Sequence, residues 1–402
     1  MSRGRGKTRV IYFTQFFYPL TYGGGEYLIY MLAREMVRRG HEVHVITQRV
    51  HGAPSSEGVD GISVHRVGLK MPYGGALPSG LLSNLSFFVS SLIAGVRLMA
   101  GYRTLGRTLV HSNTYVPSLS GAACARIFRS PHVITFHDVY RRSSAAFWEA
   151  WKRESGSRFP SFSAVVARFL EATVLNLKPS VFHAVSESTR DDLIGCGVEP
   201  RCLAVVPNGI DELDYPAAPP PPPGRPEVVF VGRLVFYKNL ETILAAMAKL
   251  SHEVPEVRLY VVGDGPHRRA LEGLAASLHV NVIFAGWVRQ EDKLRLISRS
   301  LFMVFPSLME GFGISMIEGF ASARSVLASD VRPMSDIITD GREGFLVSPF
   351  DAGAWAAKMA SLFRDPLKAA EMGRDAYTTY RSTYTMGAVA NRMEALYESM
   401  LT

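Results

Sequence analysis

Residues Tyr215–Pro226 read YPAAPPPPPGRP, and this run decides how the rest of the chain is parsed. Consecutive prolines fix φ, remove amide donors and favour extended polyproline geometry, so the run cannot lie inside a helix or a central strand. Patterned sequence lies on both sides, which makes it a semi-rigid linker between two halves. Just beyond it, VVFV (Val228–Val231), RLYVV (Arg258–Val262), VIFA (Val282–Ala285) and LFMVF (Leu301–Phe305) are short apolar runs. They alternate with helical patterns near 239–251, 267–278, 290–299 and 314–322.

Upstream of the linker the same rhythm appears. Val10–Phe13, Glu42–Thr47, Leu109–His111, His132–Phe136 and Val181–Val185 read as strands. Between the first two, Leu28, Met31, Leu32, Glu35 and Met36 fall at helical spacing over Tyr27–Arg39, with Gly40 as the natural C-cap. Short apolar strands alternating with helices predict parallel sheets covered on both faces. The expected architecture is therefore α/β: two Rossmann-like, doubly wound domains at 1–215 and 227–402, joined by 216–226 and facing across a cleft. Ligands of such sheets collect beyond the strand C-termini. The last segment, Ala388–Leu401, reads as a helix that could pack on either domain.

Composition narrows the class. With 402 residues and 47% hydrophobic content, the chain has the apolar material for two cores, which excludes general disorder. Three cysteines (Cys124, Cys196, Cys202) supply neither a disulfide scaffold nor a four-ligand zinc site, and fit a reducing compartment. The basic start, MSRGRGKTRVIYFT, lacks the apolar core and cleavage site of a signal peptide. The longest apolar stretch, Leu81–Val96, is interrupted by Ser83, Asn84, Ser86, Ser90 and Ser91 and stops at Arg97, so it reads as a helix of a soluble protein. A cytoplasmic protein is expected.

Residues 1–215 hold 24 Lys and Arg against 16 Asp and Glu, a net of +8; residues 216–402 hold 20 of each, a net of zero. A basic front half attracts anionic partners. The segment RRSSAAFWEAWKR, from Arg141 to Arg153, mixes cations with Phe147, Trp148 and Trp151, the pattern of a helix at an anionic membrane surface. The same aromatics would equally suit a core helix. No nucleic-acid-binding module or zinc spacing accompanies the charge.

The chemistry concentrates in FPSLMEGFGISMIEGFA, Phe305–Ala321. A buried strand ends at Phe305, Glu310 follows on a loop, Gly311 and Gly313 permit close backbone approach, and a helix starts near Ile314 with Glu318 about one turn in. Two carboxylates near one helix N-terminus suit an activated sugar: free N–H groups and the helix dipole favour a diphosphate, and carboxylates accept from paired hydroxyls. Arg233 and Lys238 sit on the loop after the first strand of the second half, where two cations can neutralise a leaving diphosphate. Gly23 and Gly24 precede the first helix, and His137 and Asp138 end the strand HVITF.

The stretch EGFGISMIE, an E-x7-E pattern with an internal GFG, resembles the signature of the retaining glycosyltransferases of family 4, which have the two-lobed GT-B fold. Five further segments are similar to that family's, in its order: YGGGE (22–26), TFHD (135–138), VPNGID (206–211), VGRLVFYKN (231–239) and VGDGP (262–266). The resemblance implies Glu310, His137, Arg233 and Lys238 as catalytic residues. It implies Gly24, Phe312, Gly313, Ile314 and Glu318 at the donor, with Asp138 on the acceptor side. It also implies retention through same-face attack, with the leaving phosphate taking the acceptor's proton and no metal or other cofactor. The implied donor is a nucleotide-diphosphate-sugar; the membrane reading of the basic-aromatic residues, where it holds, adds a lipid or lipid-linked glycan as acceptor and a peripheral place on the cytoplasmic face of a membrane. The segment SDVRPMSDII (329–338) departs from the family, placing Arg332, Pro333 and Met334 where it has small residues. A non-catalytic sugar-nucleotide-binding protein and a sugar-nucleotide epimerase of related fold are the alternative readings. A nicotinamide oxidoreductase is disfavoured, because Arg268 occupies the third glycine position of an incomplete G-x-G-x-x-G.

Overall fold

A computed structural model describes residues 7–18, 24–71, 81–102, 106–113, 115–140, 160–212, 215 and 226–401. The proline-rich linker at 216–225, Gly23, and the basic-aromatic segment 141–159 lie outside the described residues. The chain divides into two compact units.

In the first unit, β1 (Arg9–Phe13), β2 (Glu42–Val50), β3 (Ser56–Val59), β4 (Ile62–Met71), β5 (Thr108–Asn113), β6 (His132–Phe136), β7 (Val181–Ala184) and β8 (Leu203–Val205) form one sheet in the order β3-β4-β2-β1-β5-β6-β7-β8. All pairings are parallel except β3–β4, an edge hairpin that departs from the all-parallel expectation. Its turn is Asp60-Gly61, with φ of 48° and 80°, the left-handed pair that a two-residue hairpin demands. The helices described here are α1 (Gly24–Arg38), α2 (Leu81–Ala100), α3 (Tyr115–Phe128), α4 (Pro160–Leu175) and α5 (Glu187–Gly195). As expected, α1 stops before Gly40, whose φ is 88°.

The second unit carries β9 (Glu227–Val231), β10 (Arg258–Val262), β11 (Val282–Gly286), β12 (Phe302–Phe305), β13 (Ser325–Ser329) and β14 (Gly344–Val347) in one parallel sheet, ordered β11-β10-β9-β12-β13-β14. Its helices are α6 (Leu240–Leu250), α7 (Arg268–Ser277), α8 (Gln290–Arg299), α9 (Ile314–Ala321), α10 (Met334–Ile337), α11 (Ala352–Arg364) and α12 (Pro366–Thr379). Val228, Phe230, Leu259, Phe302, Val304 and Leu327 line one face of this sheet beneath α6 and α11, whose Trp355 is fully buried. Apart from the β3 edge, the strand order reverses at β1/β5 in the first sheet and at β9/β12 in the second. Such switch points open a crevice outside the strand C-termini.

The expected boundaries need correction at both ends. The first unit ends at Asn208 rather than 215, and the second ends at Thr385 rather than 402. The final helix, α13 (Met386–Leu401), belongs to the first unit. Its Tyr397 hydroxyl meets Tyr12 at 3.1 Å and His111 Nδ1 at 2.6 Å. Glu394 accepts from Arg39 at 2.7 Å and pairs with His41 at 2.8 Å, and Glu398 takes Arg107 at 2.6 Å. These partners lie hundreds of residues upstream, which is why local pattern left the placement open.

Candidate active site

In the second unit the loops after β9 and β12, the two strands that flank the switch point, carry the candidate site residues. The loop after β9 carries Arg233 and Lys238 and turns into α6 at Asn239, a left-handed residue (φ 54°). Asn239 Nδ2 donates to the carbonyls of Pro306 (3.2 Å) and Pro349 (2.7 Å), and Leu308 N–H donates to Tyr237 O at 2.8 Å. The loops after β9 and β12 are thereby stitched together, and Lys238 Nζ meets Glu310 Oε1 in an ion pair. Both side chains are largely buried, and the ammonium lies 5.3 Å from the Phe305 ring centroid. Arg233 is exposed on the same loop.

The first loop is braced from behind by the VGDGP turn. Leu234 N–H donates to Asp264 O and Gly232 N–H to Val262 O, each at 3.0 Å. A Cβ on Gly263 would lie 2.0 Å from Gly232 O. Glycine there is a condition of the contact.

Gly313 caps α9 with φ of 91° and presents no side-chain acceptor. The first N–H groups of α9 therefore have no side-chain cap, the arrangement that receives an anion. Phe312 is buried against Tyr384, with ring centroids 5.7 Å apart, and Ile314 opens the helix half-buried. One turn on, Glu318 is buried, and its Oε1 accepts from Lys293 Nζ at 2.6 Å. Lys293 escaped sequence reasoning. It stands on α8 within QEDKLRLISR, where one lysine among many charges carries no local signal. Glu310 and Glu318 are thus each held by a lysine, at one helix N-terminus. In the departing segment, Met334 is buried and Arg332 pairs with Asp336 at 2.8 Å.

In the first unit, His137 follows β6 and Gly24 opens α1. The imidazole sits against the first turn of α1: a Cβ on Gly25 would lie 3.3 Å from His137 Nε2. Nε2 also bonds Asn113 Oδ1 at 2.7 Å, at the end of β5. With that oxygen as acceptor, Nε2 carries the proton and Nδ1 keeps its lone pair. Gly25 and Asn113 were not singled out by the sequence. The glycine run was the available signal for the first; nothing local marks the second. Asp138 is half-buried beside His137; burial raises the Tyr115 hydroxyl's pKa most, with Tyr140, Glu171 and Asp138 adding to it electrostatically. The following loop is held by the buried Glu171 of α4, which accepts from Tyr140 N–H at 2.9 Å.

Burial, with His183 nearby, lowers His137 to about 4; burial likewise takes His183 to about 4 and His132 to about 3. Each of these imidazoles holds its proton less tightly folded than unfolded. Stability is therefore complete above the ordinary value of 6.5 and falls as pH drops toward the folded values. The first unit's calorimetric transition is expected to move down steadily between pH 6.5 and about 4. A transition that held its temperature across that window would contradict this burial of neutral imidazoles.

Two family descriptions match the chain: "Glycosyltransferase Family 4" over residues 22–212 and "Glycosyl transferases group 1" over 211–379. The α-maltose-1-phosphate synthase of Mycolicibacterium smegmatis is 31% identical over 66% of this chain and 72% of its own length. Among solved structures, the sucrose-phosphate synthase of Thermosynechococcus elongatus superposes with a TM-score of 0.76 at 21% identity, covering 98% of this chain and 99% of that one. HepE of Anabaena, solved in complex with UDP-glucose, gives 0.72 at 18% identity over 97% and 99%. With the two sheets, their order and the placement of the motifs, these matches establish that the chain belongs to the family 4 glycosyltransferases of GT-B fold.

Proposed function

We propose that this glycosyltransferase moves a sugar from a nucleotide-diphosphate-sugar to an acceptor with retention of configuration and without a metal. The observation that carries the reading is the uncapped N-terminus of α9 flanked by two lysine-held carboxylates, Glu310 and Glu318. The helix N–H groups and the cations of Lys238 and Arg233 supply positive charge for a diphosphate. In this reading Glu318 accepts from ribose hydroxyls, Glu310 accepts from those of the sugar, and His137 acts through Nδ1.

In the proposed step the bond from the sugar's anomeric carbon to the phosphate oxygen breaks, and the acceptor oxygen bonds that carbon on the same face. The acceptor's proton passes to the leaving phosphate, so the products are a glycoside and a nucleoside diphosphate. Charge grows on the diphosphate as the bond lengthens, and Lys238, Arg233 and the helix terminus stabilise it most at that point. The acceptor is a lipid or lipid-linked glycan, and the protein works peripherally at the cytoplasmic face of a membrane. The net +8 of residues 1–215 supports this part of the reading.

The test is a panel of uridine, guanosine, adenosine and thymidine diphosphate sugars with lipid extracts as acceptors. One donor should be consumed, and product NMR should give the donor's anomeric configuration, with turnover unchanged by EDTA. An inverted product, an epimerised donor, or binding without transfer would replace the proposal with another reading.

A further inference from the structure

Three of the polar residues that interrupt the apolar sequence of α2 are tied to neighbouring elements, and Ser91 is fully buried. Ser91 Oγ donates to Ser120 Oγ of α3 at 2.7 Å, Ser86 Oγ accepts from Leu69 N–H at 3.1 Å, and Asn84 Oδ1 accepts from Gln15 at 2.8 Å. Phe87 and Met99 are buried on the same side, so this face is fastened to β4 and α3. The opposite face is the apolar one. Leu82, Leu85, Val89 and Ile93 are 76%, 54%, 45% and 46% exposed, one above another at helical spacing, and Leu69 of β4 is 55% exposed. Arg97 continues the row, exposed, one turn on. An outward apolar ladder of this length is a surface seeking an apolar phase.

Charge says which phase. Of the cations between Gly61 and His137, a stretch without Asp or Glu, Lys70 next to Leu69 and Arg97 at the end of the ladder are exposed, as are Arg126 and Arg129, whereas Arg66 is buried against Glu57 and Arg107 pairs with Glu398. An apolar ladder bordered by exposed cations matches an anionic lipid surface, and a second copy would set like charges against each other. Although α2 is long and apolar enough to cross a bilayer by length and composition, its inner face is packed into the first unit.

We propose that the outward face of α2, with Leu69 beside it and Arg97 at its end, is the surface by which this protein lies on an anionic bilayer. It gives the peripheral location read above a place in the fold, and rests on that reading only for its purpose, since adsorption is measurable without turnover.

The experiment is co-sedimentation of the full-length protein with vesicles of phosphatidylcholine alone or mixed with phosphatidylglycerol. The wild type should prefer the mixed vesicles and release as salt rises. Val89→Glu/Ile93→Glu should weaken binding at least about tenfold, and Arg97→Glu should weaken it less. Both should keep the wild-type far-UV spectrum and donor-sugar binding. Equal sedimentation of wild type and double variant, indifference to lipid charge, or a wild-type dimer that the same substitutions dissolve would each overturn the proposal. Vesicle binding without transfer from any donor would sink the functional reading and leave this surface standing; transfer to a lipid-linked acceptor without vesicle binding would do the reverse.

Discussion

Alanine at Lys238, which removes a preorganised cation from a developing anion, or at Glu310, which removes that cation's partner and the acceptor of the sugar's hydroxyls, is expected to lower kcat by about a hundred- to a thousandfold. The two are partners in one largely buried ion pair, so each single change also leaves the other charge stranded. The double variant should therefore be little worse than either single one, a non-additivity expected of residues acting as a unit. Folding should persist, because neither side chain belongs to the apolar core beneath the sheet. Far-UV spectra and melting midpoints check that part, and single-turnover rates with the identified donor check the chemistry. Turnover near wild type in both single variants would remove Glu310 and Lys238 from the reaction.

The largest stability effect is expected at Gly263. Its φ of 124° is one that side-chain-bearing residues rarely adopt, and a Cβ would sit 2.0 Å from the backbone oxygen of Gly232. No side chain can swing away, so the two backbones must part, and the loop bearing Arg233 and Lys238 moves with them. Gly263→Val should cost about 3–5 kcal/mol, combining backbone strain with overpacking, and should lose activity in whatever fraction remains folded. Gly273 of α7 is the control. It is helical with nothing within 4 Å of a Cβ, so Gly273→Ala should stabilise by about 0.5–1 kcal/mol. Urea titration of both distinguishes a structural glycine from an incidental one; equal behaviour would show that the close approach carries no weight.

Much of the scaffold is legible because parallel strands are buried on both faces and so read as unbroken apolar runs. HVITF and RLYVV are strands over the expected residues, and the helix at 290–299 keeps its bounds. The hairpin of β3 and β4 was missed, although Asp60-Gly61 is a turn signal, because β3 is polar and half-exposed at a sheet edge. The acids and basic loop of the second unit were visible since they sit in short, ordered motifs. Their counter-ion Lys293, and Asn113 behind His137, were not, because each acts across the tertiary structure from a stretch with no pattern of its own. The polar residues of the 81–96 stretch read as the sign of an ordinary soluble helix; only packing reveals that Ser91 is buried against α3 while Leu82, Leu85, Val89 and Ile93 are exposed.

The placement of α13 has a consequence for how the chain is made. The second sheet and its helices come from one continuous stretch, 227–379, and can close as they leave the ribosome. The front sheet, although translated first, lacks the helix that seats Tyr397 against Tyr12 and His111 until residues 386–401 have been made. The first unit is therefore completed after the second, and a stop codon ahead of Met386 would cripple the unit translated earlier.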